Sequence, residues 1–151
     1  MTQKKFFGHP SQLSNLFHIE LWERFSFYGM QAILMIYLYY AADKGGLGID
    51  ESLAGAVVGA YSGSVYLATV GGGWLADRVL GSERTLFWSG VVVMAGHIVL
   101  ALLPGVAGLV GGLILIGAGS GGVKASAGTM VGSLYESEDT RPLRDAGFSI
   151  F

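Results

Sequence analysis

Long stretches of the chain carry no charged side chain, and their lengths predict where helices lie. Charge-free stretches cover residues 25–42, 52–76 and 85–123. An α-helix rises 1.5 Å per residue, so about 20 residues cross the ~30 Å hydrocarbon core of a bilayer. The first two stretches therefore each predict one spanning helix. The third is too long for one helix and contains Pro104 followed by a glycine, so it predicts two.

This pattern predicts an all-α integral membrane protein with four transmembrane helices and the start of a fifth. The fifth helix is expected to begin near Ala146, shortly before the sequence ends at Phe151. The four spans are predicted at residues 15–42, 52–76, 85–103 and 107–135.

Composition agrees with a membrane protein and disfavours other classes. Charged residues are 13% of the chain, about half of the ~25% that is usual in soluble domains, and the mean hydropathy is +0.54. A net charge of −2 without a basic run gives no support for nucleic-acid binding, and the absence of cysteine excludes a disulfide scaffold. No metal and no enzymatic chemistry are expected, because no catalytic constellation is present and the three histidines lack ligand spacing: His9, His18 and His97.

The distribution of lysine and arginine predicts the orientation. If four helices alternate in direction, Lys44 is the one basic residue outside the spans that falls on the outer side. Basic loops tend to stay in the cytoplasm, so we expect a cell-membrane protein whose N-terminus is cytoplasmic and whose loop at residues 43–51 faces out. The residues on the cytoplasmic side are Lys4, Lys5, Arg78, Arg84, Arg141 and Arg144.

Four ionisable residues nevertheless lie within the predicted spans: Glu20, Glu23, Arg24 and Lys124. Each costs a few kcal/mol at the middle of a bilayer, and such residues usually pair or line an aqueous path. The three on helix one could instead extend towards the cytoplasmic interface. Lys124 cannot easily do so, because 11 uncharged residues separate it from Glu136. A functional charge cluster is therefore favoured over purely structural pairing.

Helical geometry supports the cluster. Glu20 and Arg24 are four residues apart, so they face each other along one helix, and the same polar stripe continues through Tyr28 and Gln31. On helix four, Lys124 shares a face with three glycines, and a face of small residues lets another helix approach closely. Lys124 is therefore predicted to reach a carboxylate of helix one. The three glycines are Gly117, Gly121 and Gly128.

Helix two carries a similar stripe. Simple helix packing explains its glycines at least as well as a functional role does. The stripe consists of Gly55, Gly59, Gly63, Tyr66 and Gly73.

Several segments together resemble one family. Glu20-Leu-Trp-Glu-Arg-Phe resembles the Glu-x-x-Glu-Arg-Phe signature of the proton-dependent oligopeptide transporters, which belong to the major facilitator superfamily. Residues 73–84 are similar to the loop motif of that superfamily between helices two and three. Residues 122–135 and 144–151 resemble helix four of the family and the beginning of its helix five.

The resemblance implies a fold of at least twelve helices in two six-helix bundles, with the substrate between them. Residues 1–151 would form most of the N-terminal bundle, and the chain is expected to be an N-terminal fragment of a transporter. The implied function is import of di- and tripeptides driven by protons, without a cofactor. The implied partners are the peptide, the lipid bilayer and the second helical bundle.

The resemblance also implies roles for individual residues. Proton coupling would belong to Glu20, Glu23, Arg24 and Lys124. The peptide site would contain Tyr28, Gln31, Tyr66 and Lys124. The cytoplasmic gate would contain Asp77, Arg78, Gly81 and Arg84.

The chain departs from the family at three places. Gln31 replaces an arginine that often contacts the peptide carboxylate, Gly59 replaces a histidine of animal members, and Ala125-Ser126 replaces Pro-Asn. Two other functions stay open at this point. One is a small four-helix oligomer that exchanges protons for drugs, and the other is a membrane subunit or fragment that transports nothing.

Overall fold

A computed structural model describes residues 5–151 of the chain. Lys4, which contributes to the predicted orientation, lies outside the described residues. A two-stranded antiparallel hairpin comes first, formed by β1 (Lys5–Phe6) and β2 (His9–Pro10). Five helices follow: α1 (Gln12–Tyr39), α2 (Glu51–Leu75), α3 (Ser82–Leu102), α4 (Gly105–Ser133) and α5 (Arg144–Ile150).

Three segments are long and apolar enough to cross a membrane: Glu51–Leu80, Ser82–Leu102 and Gly105–Ser133. Helix α1 has 28 residues, which is also a spanning length, but it is less apolar because it carries the predicted charge cluster. The helix that departs from membrane composition is therefore the one that carries three of the four residues predicted to couple protons: Glu20, Glu23 and Arg24.

The helix ends differ from the predicted ends by three residues or fewer, and local chemistry explains the differences. Helix α2 begins at Glu51 because the Asp50 carboxylate accepts hydrogen bonds from the backbone N–H groups of Ser52 and Leu53, at 3.0 and 3.3 Å. Helix α5 begins at Arg144, two residues before the predicted Ala146.

The loop expected between helices two and three is much shorter than predicted. A π-helical turn at Ala76–Leu80 continues α2, since this segment contains neither proline nor glycine. Gly81 then separates it from α3, with φ of +78°, a value that favours glycine. The residues predicted as a gating loop thus lie at the ends of two nearly continuous helices.

Helix α4 lies in the middle of the bundle and packs closely against α2 and α3. A Cβ atom on Gly72 of α2 would lie 2.6 Å from Cα of Gly122, and one on Gly96 of α3 would lie 2.6 Å from Cγ1 of Ile116. Neither distance is possible for real atoms, so glycine sets the separation of these helices.

The predicted glycine face of α4 contacts a different helix from the one expected. Gly117 and Gly121 pack against α2, at Tyr61 and at Ala68 respectively, so these glycines do not form the contact with α1. On α2, a Cβ atom at Gly55, Gly59 or Gly63 would meet no atom within 4 Å in the described part of the chain. Close helix packing thus explains Gly117 and Gly121 of α4. It does not explain the glycines at positions 55, 59 and 63 of α2.

The N-terminal hairpin packs against the end of the bundle where α1 begins and α4 ends. Leu13 and Leu16 of α1 form a buried cluster with Val131 and Tyr135, and Phe6 of the hairpin packs against it. Nδ1 of buried His9 lies 2.9 Å from the Tyr135 hydroxyl. Burial raises the pKa of Tyr135, which keeps this hydroxyl protonated and able to hydrogen-bond.

Candidate functional site

An ion pair connects the two helices that carry the predicted charge cluster. Nζ of Lys124 on α4 lies 2.8 Å from Oε2 of Glu23 on α1. The side chains are 15% and 6% exposed, so the pair is largely desolvated. The expected contact between Lys124 and a carboxylate of helix one is therefore present, and Glu23 supplies that carboxylate.

A second ion pair lies within α1, one turn away. The Arg24 guanidinium is 2.6 Å from Oε1 of Glu20, which is the i,i+4 contact expected from the spacing. The Glu20 side chain is only 6% exposed, whereas that of Arg24 is 51% exposed. Arg24 can therefore hold Glu20 while its other N–H donors stay accessible.

Two aromatic residues that the sequence did not single out surround the buried pair. Nζ of Lys124 lies 5.6 Å from the centre of the Phe27 ring, within the range of a cation–π interaction. The Phe27 ring stacks against Tyr61 of α2, with centroids 6.2 Å apart. Phe27 follows Glu23 by four residues, and this spacing is the signal that could have identified it.

The Glu23 carboxylate uses its two oxygens differently. Oε2 accepts the hydrogen bond from Lys124, while Oε1 is buried and has no hydrogen-bond partner within residues 5–151. An unpartnered buried oxygen is costly when the carboxylate is charged. Protonation at this oxygen would remove the charge but leave a buried O–H group, so Oε1 lacks a partner among the described residues in either state.

The other predicted site residues lie on α1 (Tyr28 and Gln31) and α2 (Tyr66), outside this contact. Tyr28 and Tyr66 are exposed, and no hydrogen bond within the described residues joins either of them to Lys124. Gln31 is half-buried, and its side-chain amide donates to the Ser62 hydroxyl of α2 at 2.5 Å. Gln31 therefore connects α1 to α2.

The predicted gate residues lie around the π-helical turn. Asp77, Arg78, Gly81 and Arg84 are all exposed, and none of the charged three forms an ion pair with another described residue. Their gating role stays a prediction.

The sequence profile of the Major Facilitator Superfamily matches residues 24–149, which is most of the chain. The chain belongs to the Major Facilitator Superfamily. Together with its long apolar helices, this membership makes it a multi-pass membrane protein.

Within the superfamily, the chain is similar to peptide transporters. It is 49% identical to a di-/tripeptide transporter of Lactococcus lactis subsp. lactis, over 99% of this chain and 30% of the relative. It is also 49% identical to an uncharacterised transporter of Bacillus subtilis, over 100% of this chain and 30% of that one. The chain thus spans about 30% of the length of these relatives.

Solved structures of this superfamily agree with the fold. A crystal structure of a peptide transporter in complex with sulfate superposes with a TM-score of 0.90 at 51% identity, over 98% of this chain and 30% of that one. A transporter of the proton-dependent oligopeptide family, bound to 5-aminolevulinic acid, superposes with a TM-score of 0.91 at 42% identity, with the same coverage. The resemblance to this family is confirmed.

Proposed function

We propose that the chain forms part of a transporter that imports di- and tripeptides together with protons. The observation that carries this proposal is the desolvated ion pair between Lys124 of α4 and Glu23 of α1. A proton can open a pair of this kind by binding the carboxylate, and an anionic ligand can open it by binding the ammonium group, so the two events favour each other. The name of the Lactococcus relative supplies the substrate class. In this proposal protons are the coupling ion and no further cofactor takes part.

The mechanism follows from the charges. While Glu23 is ionised, it holds Lys124 in an electrostatic and hydrogen-bonded contact. Protonation of Glu23 weakens that contact, and the released ammonium group can bind the carboxylate of a peptide. When the peptide leaves, Lys124 returns to Glu23 and the proton is lost. Proton and peptide are thus linked by a coupling free energy, which is typically about 1–3 kcal/mol.

The remaining site residues have supporting roles in this proposal. Tyr28 and Tyr66 face away from the bundle core, where a peptide bound against this face would meet them. Gln31 is neutral and donates to Ser62, so it brings no charge for the peptide carboxylate. Lys124 should therefore contribute more to peptide binding here than in relatives with an arginine at position 31.

We further propose how the chain is placed in the cell. It lies in the cell membrane with its N-terminus in the cytoplasm, and it requires a second helical bundle to enclose the peptide. In this arrangement Asp77, Arg78 and Arg84 lie at the cytoplasmic ends of α2 and α3, where they would act in the gate.

Uptake of a radiolabelled dipeptide into proteoliposomes tests the mechanism in the full-length transporter. With an inward proton gradient, Lys124→Ala, Glu23→Gln and Glu20→Gln should each abolish uptake. Exchange of peptide without a gradient should survive in the two glutamine variants, because a neutral amide resembles a protonated carboxyl group.

Lys44→Ala is the matched control, because Lys44 lies in the short turn after α1, outside the helices that carry the cluster. It should leave uptake unchanged. Undiminished proton-driven uptake in Lys124→Ala would overturn the proposed mechanism, and absence of peptide uptake by the unmodified protein would overturn the substrate class.

A further inference from the structure

The side-chain amide of Gln31 on α1 is held in one orientation by a serine of α2. Its nitrogen Nε2 donates to the Ser62 hydroxyl at 2.5 Å. The Ser62 hydroxyl donates its own hydrogen to the backbone carbonyl oxygen of Val58, at 2.8 Å. A hydroxyl group has one hydrogen, so Ser62 can only accept from Gln31. The NH₂ group of Gln31 therefore faces Ser62, and its amide oxygen is directed away from that serine.

The amide oxygen of Gln31 is available to a ligand. Within residues 5–151 the one hydrogen bond of this side chain is the bond to Ser62, and the oxygen is not among the fully buried atoms without a partner. An amide oxygen has two lone pairs and can only accept. The Ser62 contact thus uses a donor of Gln31 and leaves its acceptor accessible.

The surface of α2 next to Ser62 is open. Gly59 lies three residues before Ser62 and Tyr66 four residues after it, so the three residues share one face of the helix. A Cβ atom on Gly59 would meet no described atom within 4 Å, and Tyr66 is exposed. The backbone of a ligand can therefore approach Gln31 along this face.

The charges near this face are all at one end of it. Arg24 and Lys124 form their ion pairs with Glu20 and Glu23, whereas residues 25–42 of the first helix region and 52–76 of the second carry no charge. Gln31 lies seven residues beyond Arg24, which is about 10 Å along the helix axis. An extended tripeptide spans roughly the same length. A peptide whose carboxylate binds the cationic end is therefore long enough to bring its N–H groups to Gln31.

We propose that the Gln31 amide oxygen accepts a hydrogen bond from an N–H group of the bound peptide, and that Ser62 positions this oxygen. The donor is the terminal ammonium group or a backbone amide N–H. An arginine at position 31 would carry five donors and no acceptor, so glutamine reverses what this point of the site recognises. The inference rests on the proposed transport of peptides and adds a determinant of selectivity to it.

Two pairs of competitor peptides test the contact in the full-length transporter. Alanyl-sarcosine differs from alanyl-glycine by a methyl group in place of the amide hydrogen, and N-acetyl-alanyl-glycine lacks the ammonium group. Inhibition of radiolabelled dipeptide uptake gives the preference of the protein for alanyl-glycine over each blocked peptide. In Gln31→Leu one of these preferences should fall, by roughly fivefold if the donor is the amide N–H and by roughly tenfold or more if it is the ammonium group.

Matched variants separate the acceptor from other properties of the residue. Gln31→Glu keeps accepting oxygens and should keep the preference, whereas Gln31→Arg has none and should lose it as Gln31→Leu does. Gln12→Leu makes the same change at an exposed glutamine at the beginning of α1 and should leave both preferences within about twofold of the unmodified protein.

Ser62 requires its own variants, because it acts through Gln31. Ser62→Ala lets the amide group rotate and should reduce the same preference, while Ser62→Thr keeps a hydroxyl and should restore it. Ser64→Ala is the control, since Ser64 is exposed and its hydroxyl donates to the backbone oxygen of Tyr61. An unchanged preference in Ser62→Ala would overturn the positioning role.

Calorimetric titration of the same peptides into purified transporter gives the preferences without turnover, so a variant that binds but does not transport still tests the contact. Equal preferences of the unmodified protein and Gln31→Leu for both peptide pairs would overturn the inference while leaving peptide transport intact. Absence of both peptide binding and peptide uptake in the unmodified protein would instead overturn the proposed function, and this inference with it.

Discussion

At the scale of single residues, one contact between buried charges joins α1 to α4, in addition to the apolar cluster of Leu13, Leu16 and Val131. Lys124 and Glu23 are both largely removed from solvent, so each compensates the desolvation of the other. Removing one partner leaves an isolated charge in a medium of low dielectric constant. The single substitutions should therefore be more harmful than the double substitution.

A double-mutant cycle measures this dependence. We expect Lys124→Met to lower the free energy of unfolding by about 3–5 kcal/mol, because the Glu23 carboxylate then has no cation. The double variant Lys124→Met with Glu23→Gln should recover part of that loss. Chemical unfolding in detergent gives the values, with Lys44→Met as a control expected to stay within about 0.5 kcal/mol. Glu23→Gln alone completes the cycle, and a loss in the double variant equal to the sum of the two single losses would show that the pair contributes no coupling.

At the scale of elements, backbone contact between helices fixes how α2, α3 and α4 pack. A Cβ atom on Gly72 would overlap the backbone of Gly122, so Gly72 cannot carry a side chain without displacing a helix. A Cβ atom on Gly122 would instead meet the Ser89 side chain of α3. The closest contacts of α4 are with α2 and α3. The polar stripe of α1 therefore stays free for charge pairing. Gly72 is thus needed for helix packing on one face of α2. No described residue would lie within 4 Å of a Cβ atom at Gly55 or Gly59.

Two neighbouring glycines on α2 test this distinction. Gly72→Ala should lower the melting temperature, because its methyl group would overlap the Gly122 backbone and cost about 1–3 kcal/mol. Gly71→Ala adds the same methyl group where nothing lies within 4 Å, and it should be neutral or slightly stabilising. Thermal unfolding in detergent compares the two. Equal melting temperatures would indicate that α2 and α4 separate easily and that the close contact is not required.

At the scale of the whole molecule, the charges outside the helices determine its orientation in the membrane. Helices α1 and α2 are connected by a segment with one lysine, Lys44, whereas the segment between α4 and α5 includes Arg141. Positively charged loops remain in the cytoplasm, so these two connections should lie on opposite sides.

Cysteine labelling tests this topology without background, because the chain contains no cysteine. We expect a membrane-impermeant thiol reagent to label Ser52→Cys in intact cells. Ser137→Cys should be labelled after the membrane is permeabilised. Both positions are exposed, so access is limited by the membrane alone. Labelling of both from the same side would contradict the four-span topology.

The sequence by itself determined the helices, their approximate ends and the identity of the charged residues in the site. Helix length follows from bilayer thickness, and the i,i+4 contact of Glu20 with Arg24 follows from helical pitch, so neither needs knowledge of the fold. The sequence also restricted the partner of Lys124 to two carboxylates. Spacing alone could not choose between them.

Only the tertiary structure decided that Glu23 pairs with Lys124, that α4 glycines contact α2, and that His97 contacts Ser26. These facts depend on the rotation and tilt of helices far apart in sequence, which are set by close packing of side chains and backbone. A sequence pattern gives the face of one helix. It does not give the neighbour that this face meets.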